Sequence, residues 1–223
     1  MSRLKSLFSL RPVAEIGLII VGVLLALAVD AWWDEMQDAA LEAQVMRSLL
    51  SELAIVSKTT STLIERNSLM IEQARRIAED PGALDSDVQL DLGILFASVP
   101  YDLRLRTYDE LNSSGRFHIL SDRELRLLLV DFDAKAEVLV GYEQQMQIQW
   151  NRTARPVLYR TTSFKELGTP HVVLPNLSDL GKQELLNVIV DRGNFTMVHR
   201  RMIQEFLSII SKLENRIASI LPD

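Results

Sequence analysis

The sequence predicts an all-α protein, with one N-terminal transmembrane helix continuing into an extracytoplasmic bundle of three long and about three short helices. Glycine and proline are scarce, at 9 and 7 of 223 residues, which favours long helices over strands joined by turns. A nearly uncharged segment lies close to the N-terminus, and apolar residues beyond it recur at spacings of three and four. The composition, 48% hydrophobic and 24% charged, is that of a folded protein.

Residues 13–33 form the predicted transmembrane helix. Residues 16–29 carry no charge, and extending the segment to 13–33 adds only Glu15 and Asp30, close to its two ends. At about 1.5 Å per residue, this helix matches a hydrocarbon core about 30 Å thick. Glu15 falls in the first turn, where the helix dipole favours an anion.

The residues on either side of the segment predict its orientation. Trp32 and Trp33 suit the far membrane interface, where aromatic rings concentrate. All charged residues before the span are basic, and all charged residues between the span and Arg47 are acidic. The basic residues are Arg3, Lys5 and Arg11, and the acids are Asp34, Glu35, Asp38 and Glu42. The positive-inside rule therefore predicts that residues 1–12 are a cytoplasmic tail and that residues 34–223 form a helical bundle domain on the other side of the membrane.

Two alternatives to a retained anchor stay open. Ala26-Leu27-Ala28 matches the A-x-A pattern of signal-peptide cleavage, and a mature chain that begins at Val29 would indicate it. The segment could also be a core helix of a soluble protein. Gly22 and Ala26 form a small-xxx-small pair that could let another membrane helix approach closely, although such pairs are common by chance.

The first long helix continues beyond the predicted membrane segment. A stripe of residues at alternating spacings of three and four predicts a broad buried face, and Pro81-Gly82 ends the pattern. Thr60 and Asn67 interrupt this stripe, and we expect them to be hydrogen-bonded core groups, the alternative being that they line a site. The stripe comprises Met46, Leu49, Leu53, Val56, Thr60, Leu63, Asn67, Met70, Ala74 and Ile77.

The remaining predicted helices are two long ones and three short ones. Ser121-Asp122-Arg123-Glu124 reads as a capping box in which the Ser121 hydroxyl caps the second long helix. The predicted ranges are 85–99, 108–115, 121–156, 178–191 and 194–220, with a loop over 161–176. The predicted buried residues of the second long helix are Leu125, Leu128, Phe132, Leu139, Tyr142, Met146 and Trp150. Those of the third are Phe195, Val198, Met202, Phe206, Ile209, Ile210, Leu213, Ile217 and Ile220.

Composition and motifs argue against most chemistries. A net charge of -6 gives no basic face for nucleic acid, and the absence of cysteine removes thiolate ligands and nucleophiles. No phosphate-binding loop, dinucleotide fingerprint or hydrolase elbow is present. His118, His171 and His199 lack ligand spacing, and the adjacent acids Asp109 and Glu110 point in different directions on a helix. We therefore expect no cofactor, no metal and no catalytic residues.

Two blocks resemble the signatures of a family of bacterial single-pass membrane proteins that is known only as a domain of unknown function. The first is EIGLIIVGVLLALAVDAWWDE, residues 15–35, and the second is TYDELNSSGRFHILSDRELRLLLVDFD, residues 107–133. The matching positions of the second block are Tyr108, Leu111, Ser113, Ser114, Gly115, Ile119, Leu120, Leu125 and Arg126. The resemblance implies a bacterial envelope protein and no activity. With the orientation predicted above, it implies an inner-membrane anchor and a periplasmic bundle domain.

The second block also has a physical interpretation. Ser113-Ser114-Gly115 can end a helix that carries Tyr108, because Gly115 is free to adopt a positive φ. Leu111 and Ile119 would then fix the two sides of the turn to the bundle. We expect the block to be a structural corner that sets a short helix against the second long one.

Together these features predict a membrane-anchored, non-enzymatic interaction protein, an accessory subunit or scaffold in the bacterial cell envelope. Its expected partners are the lipid bilayer and another membrane or envelope protein, or a second copy of itself. The alternative is a ligand-sensing periplasmic bundle that signals through a partner, which a pocket lined by Tyr142, Trp150 and arginines would favour. An unrecognised hydrolase or transferase is a third possibility.

Overall fold

The computed structural model describes residues 10–80, 82, 101–161 and 178–221, and it describes no side chain for 10–14 and 16. All regular structure in these ranges is helical, which confirms the all-α class. Helix α1 is Leu10–Glu79, α2 is Arg106–Ser113, α3 is Arg123–Gln149, α4 is Arg155–Thr161 and α5 is Asp179–Ile220. A 3₁₀ turn, Arg116–Ile119, precedes α3, and a π-helical turn, Trp150–Ala154, joins α3 to α4.

Helix α1 has two parts with different surroundings. It is 70 residues long and therefore about 105 Å from end to end. Its N-terminal part is long and apolar enough to cross a membrane, and no residue of the most apolar stretch is buried by the rest of the protein. From Met46 onward, the same helix contributes to the hydrophobic core. The apolar segment and a core helix of the bundle are thus one uninterrupted element.

The buried face of α1 follows the sequence pattern. All ten stripe residues predicted from Met46 to Ile77 are buried, including the two polar ones. Thr60 satisfies its hydroxyl within α1, because Oγ1 donates to the carbonyl oxygen of Val56 at 2.6 Å. Asn67 instead bonds to a side chain of another helix. The prediction that both are hydrogen-bonded core groups is confirmed.

Helix α5 is the central helix of the bundle and packs against both α1 and α3. It runs antiparallel to both, because contacts late in α5 fall early in the other two helices. Arg216 binds Asp122 near the start of α3, whereas His199 lies beside Glu143 near its end. In α1 the order of contacts is also reversed, since Ala74 lies against Gly193 and the earlier Asn67 contacts the later His199. Helices α1 and α3 therefore run in the same direction.

Several predicted boundaries were wrong for identifiable reasons. Residues 178–191 and 194–220 form one helix, α5, because Gly193 lies inside it against α1. Val198 was predicted to be buried but is 50% exposed, and His199 takes the core position. The second long helix was predicted to end around Pro156, but helix continues past this residue. Proline is tolerated there because it follows the wide π turn, where its missing N–H interrupts no regular ladder of hydrogen bonds. The predicted helix 85–99 and nearly all of the predicted loop 161–176 lie outside the described residues.

The predicted cap of α3 was also wrong by one residue. Asp122, not Ser121, is the N-cap, and its carboxylate accepts from the backbone N–H of Leu125 at 2.6 Å. Arg216 of α5 holds the same carboxylate, with Nε and Oδ1 3.0 Å apart. Ser121 instead donates its backbone N–H and its hydroxyl to Oε1 of Glu42, at 2.7 and 2.8 Å. Tertiary partners therefore decide which of the two residues caps the helix.

Replacing Gly193 by alanine is expected to lower the free energy of unfolding by about 1–3 kcal/mol. A Cβ at this position would lie 2.8 Å from the Cβ of Ala74, so α1 and α5 would have to move apart. Urea unfolding followed by circular dichroism measures the loss. Gly141→Ala is the matched control, since a Cβ there meets no atom within 4 Å. Equal stability of the two variants would contradict the close packing of α1 and α5.

Candidate functional site

The predicted anchor residues lie on the free part of α1. Glu15, Gly22, Ala26, Trp32 and Trp33 are exposed, and their helix makes no contact there with the bundle core. A Cβ added to Gly22 would meet no atom within 4 Å, so the small pair with Ala26 has no partner within the described chain. Arg11 belongs to α1, and its side chain lies outside the described residues. This surface is available to lipid or to another helix.

One end of the bundle lies close to the apolar segment. Glu42 binds Ser121, just before α3, and Leu221, just after α5, packs against the core. Because Glu42 follows Trp33 by nine helical residues, the start of α3 lies about 14 Å further along the α1 axis. The bundle is therefore held at a fixed distance from the aromatic end of the segment.

The predicted structural corner is built around Gly115. This glycine has φ of 71°, in the left-handed region, and α2 ends just before it. Ser114 donates its hydroxyl to the carbonyl oxygen of Glu110 at 2.6 Å, and Ser113 donates to the same oxygen at 3.2 Å. Tyr108 is buried and meets the ring of Phe117 edge to face, with centroids 5.6 Å apart. All four predicted turn residues thus lie within one compact corner.

Two glutamates of α1 that the sequence did not single out hold this corner. Glu52 accepts hydrogen bonds from the backbone N–H of Thr107, at 3.2 Å, and from its hydroxyl, at 2.9 Å. It thereby caps α2, because Leu105 at the N-cap has no side-chain acceptor. Glu42 binds Ser121 at the other end of the corner. The only signal in the sequence is an acid beside an apolar stripe, and it does not reveal the partner.

Replacing Gly115 by alanine is expected to lower the free energy of unfolding by about 1–2 kcal/mol, because an L-residue is strained at positive φ. A Cβ would meet no atom within 4 Å, so the effect is conformational and not steric. A thermal melt would show a decrease in Tm of a few degrees. Gly115→Asn should lose less, because asparagine tolerates this conformation. An unchanged Tm for Gly115→Ala would contradict the structural corner.

A second candidate site is a buried polar cluster centred on His199, which is only 3% exposed. Nδ1 of the imidazole lies 3.3 Å from Nδ2 of Asn67 in α1. Nε2 lies 3.1 Å from the Tyr101 hydroxyl and 3.7 Å from a carboxylate oxygen of Glu143 in α3. One histidine of α5 thus contacts both other long helices and the segment before α2. We call Asn67, Tyr101, Glu143 and His199 the His199 cluster.

Aromatic and cationic side chains surround the His199 cluster. The ring of Tyr142 stacks on the imidazole with centroids 5.8 Å apart, and its hydroxyl donates to the carbonyl oxygen of Phe195 at 3.2 Å. Arg192 lies over the ring of Trp150 at 5.7 Å. Two small, partly open spaces of about 20 Å³ each remain, one beside His199 and one beside Trp150. Each space has room for about one water molecule and not for an organic ligand.

Burial shifts the pKa values of two members of the cluster towards their neutral forms. It lowers the pKa of His199 below its usual value, a shift that the Arg192 charge reinforces and the Glu143 charge opposes. Burial, together with Glu143, also raises the pKa of Tyr101 far above its usual value. A neutral imidazole can accept from the Asn67 amide at Nδ1 and donate from Nε2 to Tyr101. His199 therefore joins α1, α5 and the segment before α2 through hydrogen bonds of a neutral imidazole.

The lowered pKa of His199 predicts that stability falls on acidification. The unfolded chain binds a proton at His199 below about pH 6.5, whereas the folded chain binds it only at lower pH. The free energy of unfolding from this group is thus complete above about pH 6.5 and declines as the pH falls towards the folded-state pKa. Urea unfolding between pH 8 and pH 5 measures the slope. His199→Gln, which does not titrate, should flatten it, and an equal slope would contradict the prediction.

The other two histidines do not join this cluster. His118 is exposed, with Nδ1 3.2 Å from the carbonyl oxygen of Gly115, and His171 lies outside the described residues. Within the described ranges, no three side chains of histidine, aspartate or glutamate are placed to share a metal ion.

No protein-family model, curated protein or solved structure matches this chain. The resemblance carried by residues 15–35 and 107–133 stays a prediction.

Proposed function

We propose that this protein is a membrane-anchored, non-enzymatic interaction protein of the bacterial cell envelope, acting as an accessory subunit or scaffold. The observation that carries the proposal is the continuity of α1. Its exposed apolar part is the same helix that supplies the buried face from Met46 to Ile77. A helix without a break transmits position rigidly, so the membrane segment would hold the bundle at a fixed height and orientation.

Exposure supports the assignment of the apolar segment to a membrane. In water, a contiguous stretch of exposed apolar side chains is costly, and soluble monomers avoid large patches of this kind. Leu18, Ile19, Val21, Leu24, Leu25 and Leu27 are all more than half exposed, on every side of the helix. Lipid would cover all these sides equally. A packed core helix would instead bury at least one side of this segment.

Charge supports the proposed orientation. Arg3, Lys5 and Arg11 precede the segment, and acids follow it, so the N-terminus would be cytoplasmic and the bundle periplasmic. The resemblance to a family of bacterial single-pass membrane proteins supports the same topology. The non-enzymatic assignment is supported by the His199 cluster, in which Asn67 and His199 are buried and adjoin a space for only about one water molecule.

The topology can be tested with single cysteines, because the natural chain has none. We expect Lys58→Cys, exposed in the bundle part of α1, to react with a membrane-impermeant maleimide in cells with a permeabilised outer membrane. Lys5→Cys should react only after the inner membrane is disrupted. Intact mass in the same samples distinguishes a retained anchor from cleavage before Val29. Labelling of both cysteines, or of Lys5→Cys alone, would contradict the proposed topology.

A second candidate function, ligand sensing through a partner, is favoured by one observation. An open groove of about 640 Å³ lies between the segment before α2 and helix α3. Leu103, Ala136 and Val140 give it an apolar lining, and Asp133 and Glu137 add acids. Tyr101 lines the groove and also bonds to His199, so an occupant could act on the long helices.

Native mass spectrometry of the full-length protein, purified from its own membranes in mild detergent, separates the two functions. A small molecule retained in addition to the 25.3 kDa chain would favour sensing, provided that Val140→Trp, which enlarges a half-buried side chain of the groove lining, removes it. A protein subunit retained at fixed stoichiometry, and unaffected by Val140→Trp, would favour the accessory role.

A further inference from the structure

The outer face of helix α3 carries an apolar surface that the described chain leaves uncovered. Its exposed fractions are 60% for Leu127, 49% for Val130, 56% for Val138 and 53% for Ile148. Ala134 and Gly141 lie between them and are also exposed. We call these six residues the outer α3 stripe: Leu127, Val130, Ala134, Val138, Gly141 and Ile148.

Helical geometry places the outer α3 stripe on one line. At 3.6 residues per turn, its members fall within a sector of about 80°. Between residues 127 and 148, that sector contains one further position, the polar Gln145. Phe132 and Leu139, which are buried in the core, lie on roughly the opposite side of the helix. Helix α3 is therefore apolar on two faces, and the described residues cover only one of them.

Within the described residues, no contact requires glycine at position 141. Glycine in the interior of a helix costs about 1 kcal/mol relative to alanine. A Cβ added at Gly141 would meet no atom within 4 Å, in contrast to Gly193, where the close approach of Ala74 requires glycine. A small residue in the middle of an apolar stripe is what a second helix needs in order to approach closely. Gly141 thus points to a helix packed on this face from outside.

The direction of α3 favours a second copy of the chain as that helix. Helix α3 runs in the same direction as α1, and Ser121, just before α3, is bound to Glu42. If α1 is anchored as proposed above, every copy in one membrane presents its outer α3 stripe at the same height and in the same direction. Two copies related by a twofold axis along the membrane normal would then match like residues in register.

The size of the surface agrees with a contact between anchored copies. The stripe is about 32 Å long, and a strip about 10 Å wide would bury on the order of 600 Å² over both partners. A stable interface between free proteins buries about 1,200–2,000 Å². Confinement to one membrane raises the effective concentration, so that a small interface is sufficient. A partner without an anchor at this height would lack that advantage.

From this geometry we infer that two copies of the protein associate side by side in the membrane through the outer α3 stripe, with the two α3 helices parallel and in register. This inference rests on the proposed membrane anchorage. It assigns the contact to α3 and makes no demand on the Gly22 and Ala26 pair.

Disulfide formation between single cysteines in native membranes tests the inference. A disulfide requires Cα atoms within about 7 Å, so it reports local register. We expect full-length Leu127→Cys, Val138→Cys and Ile148→Cys each to form a species of twice 25.3 kDa on mild oxidation. Ser211→Cys, exposed on α5, is the matched control and should form none.

A second substitution in Leu127→Cys gives an independent readout. Val138→Glu should reduce the disulfide yield at least about fivefold, because a carboxylate in the contact is desolvated. Lys135→Glu changes charge nearby but lies outside the stripe, and it should leave the yield nearly unchanged. Both sites are exposed, so neither substitution should unfold the chain.

Each other outcome overturns a separate statement. When the Leu127→Cys and Ile148→Cys variants are present together, disulfides that form only between the two different variants would show that the α3 helices are antiparallel. Equal yields for the stripe and for Ser211→Cys, or no dimer, would refute the contact. A disulfide to a different protein would assign the stripe to that partner and not to a second copy. Recovery of the protein in the soluble fraction would refute the proposed anchor, and with it the association of copies within one membrane.

Discussion

Two lysines in the middle of the apolar segment, Val21→Lys and Leu25→Lys, are expected to release the protein from the membrane or to prevent its insertion. Each lysine at the centre of a membrane helix costs roughly 2.5–3.5 kcal/mol, so the pair costs about 5–7 kcal/mol. Both side chains project freely from α1, and no protein contact shields them. Membrane fractionation with alkaline extraction measures the effect as a transfer of the protein from the pellet to the supernatant.

The same helix provides the matched control. Ile55 and Leu69 are as exposed as Val21 and Leu25, but they lie in the part of α1 that belongs to the bundle. Ile55→Lys with Leu69→Lys should leave the protein in the membrane fraction, since the charges would face water. If the anchor variant stays in the pellet after extraction, the segment is not the anchor. If the natural protein is already soluble, either cleavage or a soluble core helix becomes the better interpretation.

The buried face of α1 was predictable because it depends on one helix alone. Residues at alternating spacings of three and four lie on a single face of a helix, so all ten positions could be identified without knowing what covers them. Helix α5 was harder, because Phe195, Met197 and Val198 leave the phase of its face ambiguous by one residue. The phase is settled by tertiary contacts, Gly193 against Ala74 and His199 against Asn67. Neither contact has a local signature.

The two candidate sites differ in the same way. The turn around Gly115 is encoded by adjacent residues, so its geometry could be anticipated. The His199 cluster joins residues 98 and 132 positions apart in sequence, and the two glutamates that hold the corner bind residues 55 and 79 positions away. A pocket lined by both Tyr142 and Trp150 would favour ligand sensing, but Trp150 lines one small space and Tyr142 stacks on His199, which lines another. Long-range polar pairing of this kind depends on the fold, which the sequence pattern indicates only in outline.

Replacing His199 by leucine is expected to lower the free energy of unfolding by about 3 kcal/mol, a decrease in Tm of roughly 6–12 °C. Leucine fills similar space, so the loss comes from polar groups left without partners. The amide of Asn67 and the hydroxyl of Tyr101 would each lose the ring nitrogen that now faces it. Each unpaired buried group costs about 1–3 kcal/mol, and the added apolar burial offsets part of that cost. Urea unfolding at pH 8, where the imidazole is neutral, isolates this effect from protonation.

Substitutions of the two polar residues of the α1 stripe test whether the His199 cluster is a hydrogen-bonded network or whether any change in the core lowers the free energy of unfolding equally. Thr60→Val should cost less than about 1 kcal/mol, because the Thr60 hydroxyl bonds only to its own helix. Asn67→Leu should cost more, because it leaves Nδ1 of His199 without a donor. The double variant Asn67→Leu with His199→Leu should cost less than the sum of the single variants, since each removes the group that the other leaves unpaired. Strict additivity, or a fully stable His199→Leu, would show that this cluster does not join the three helices.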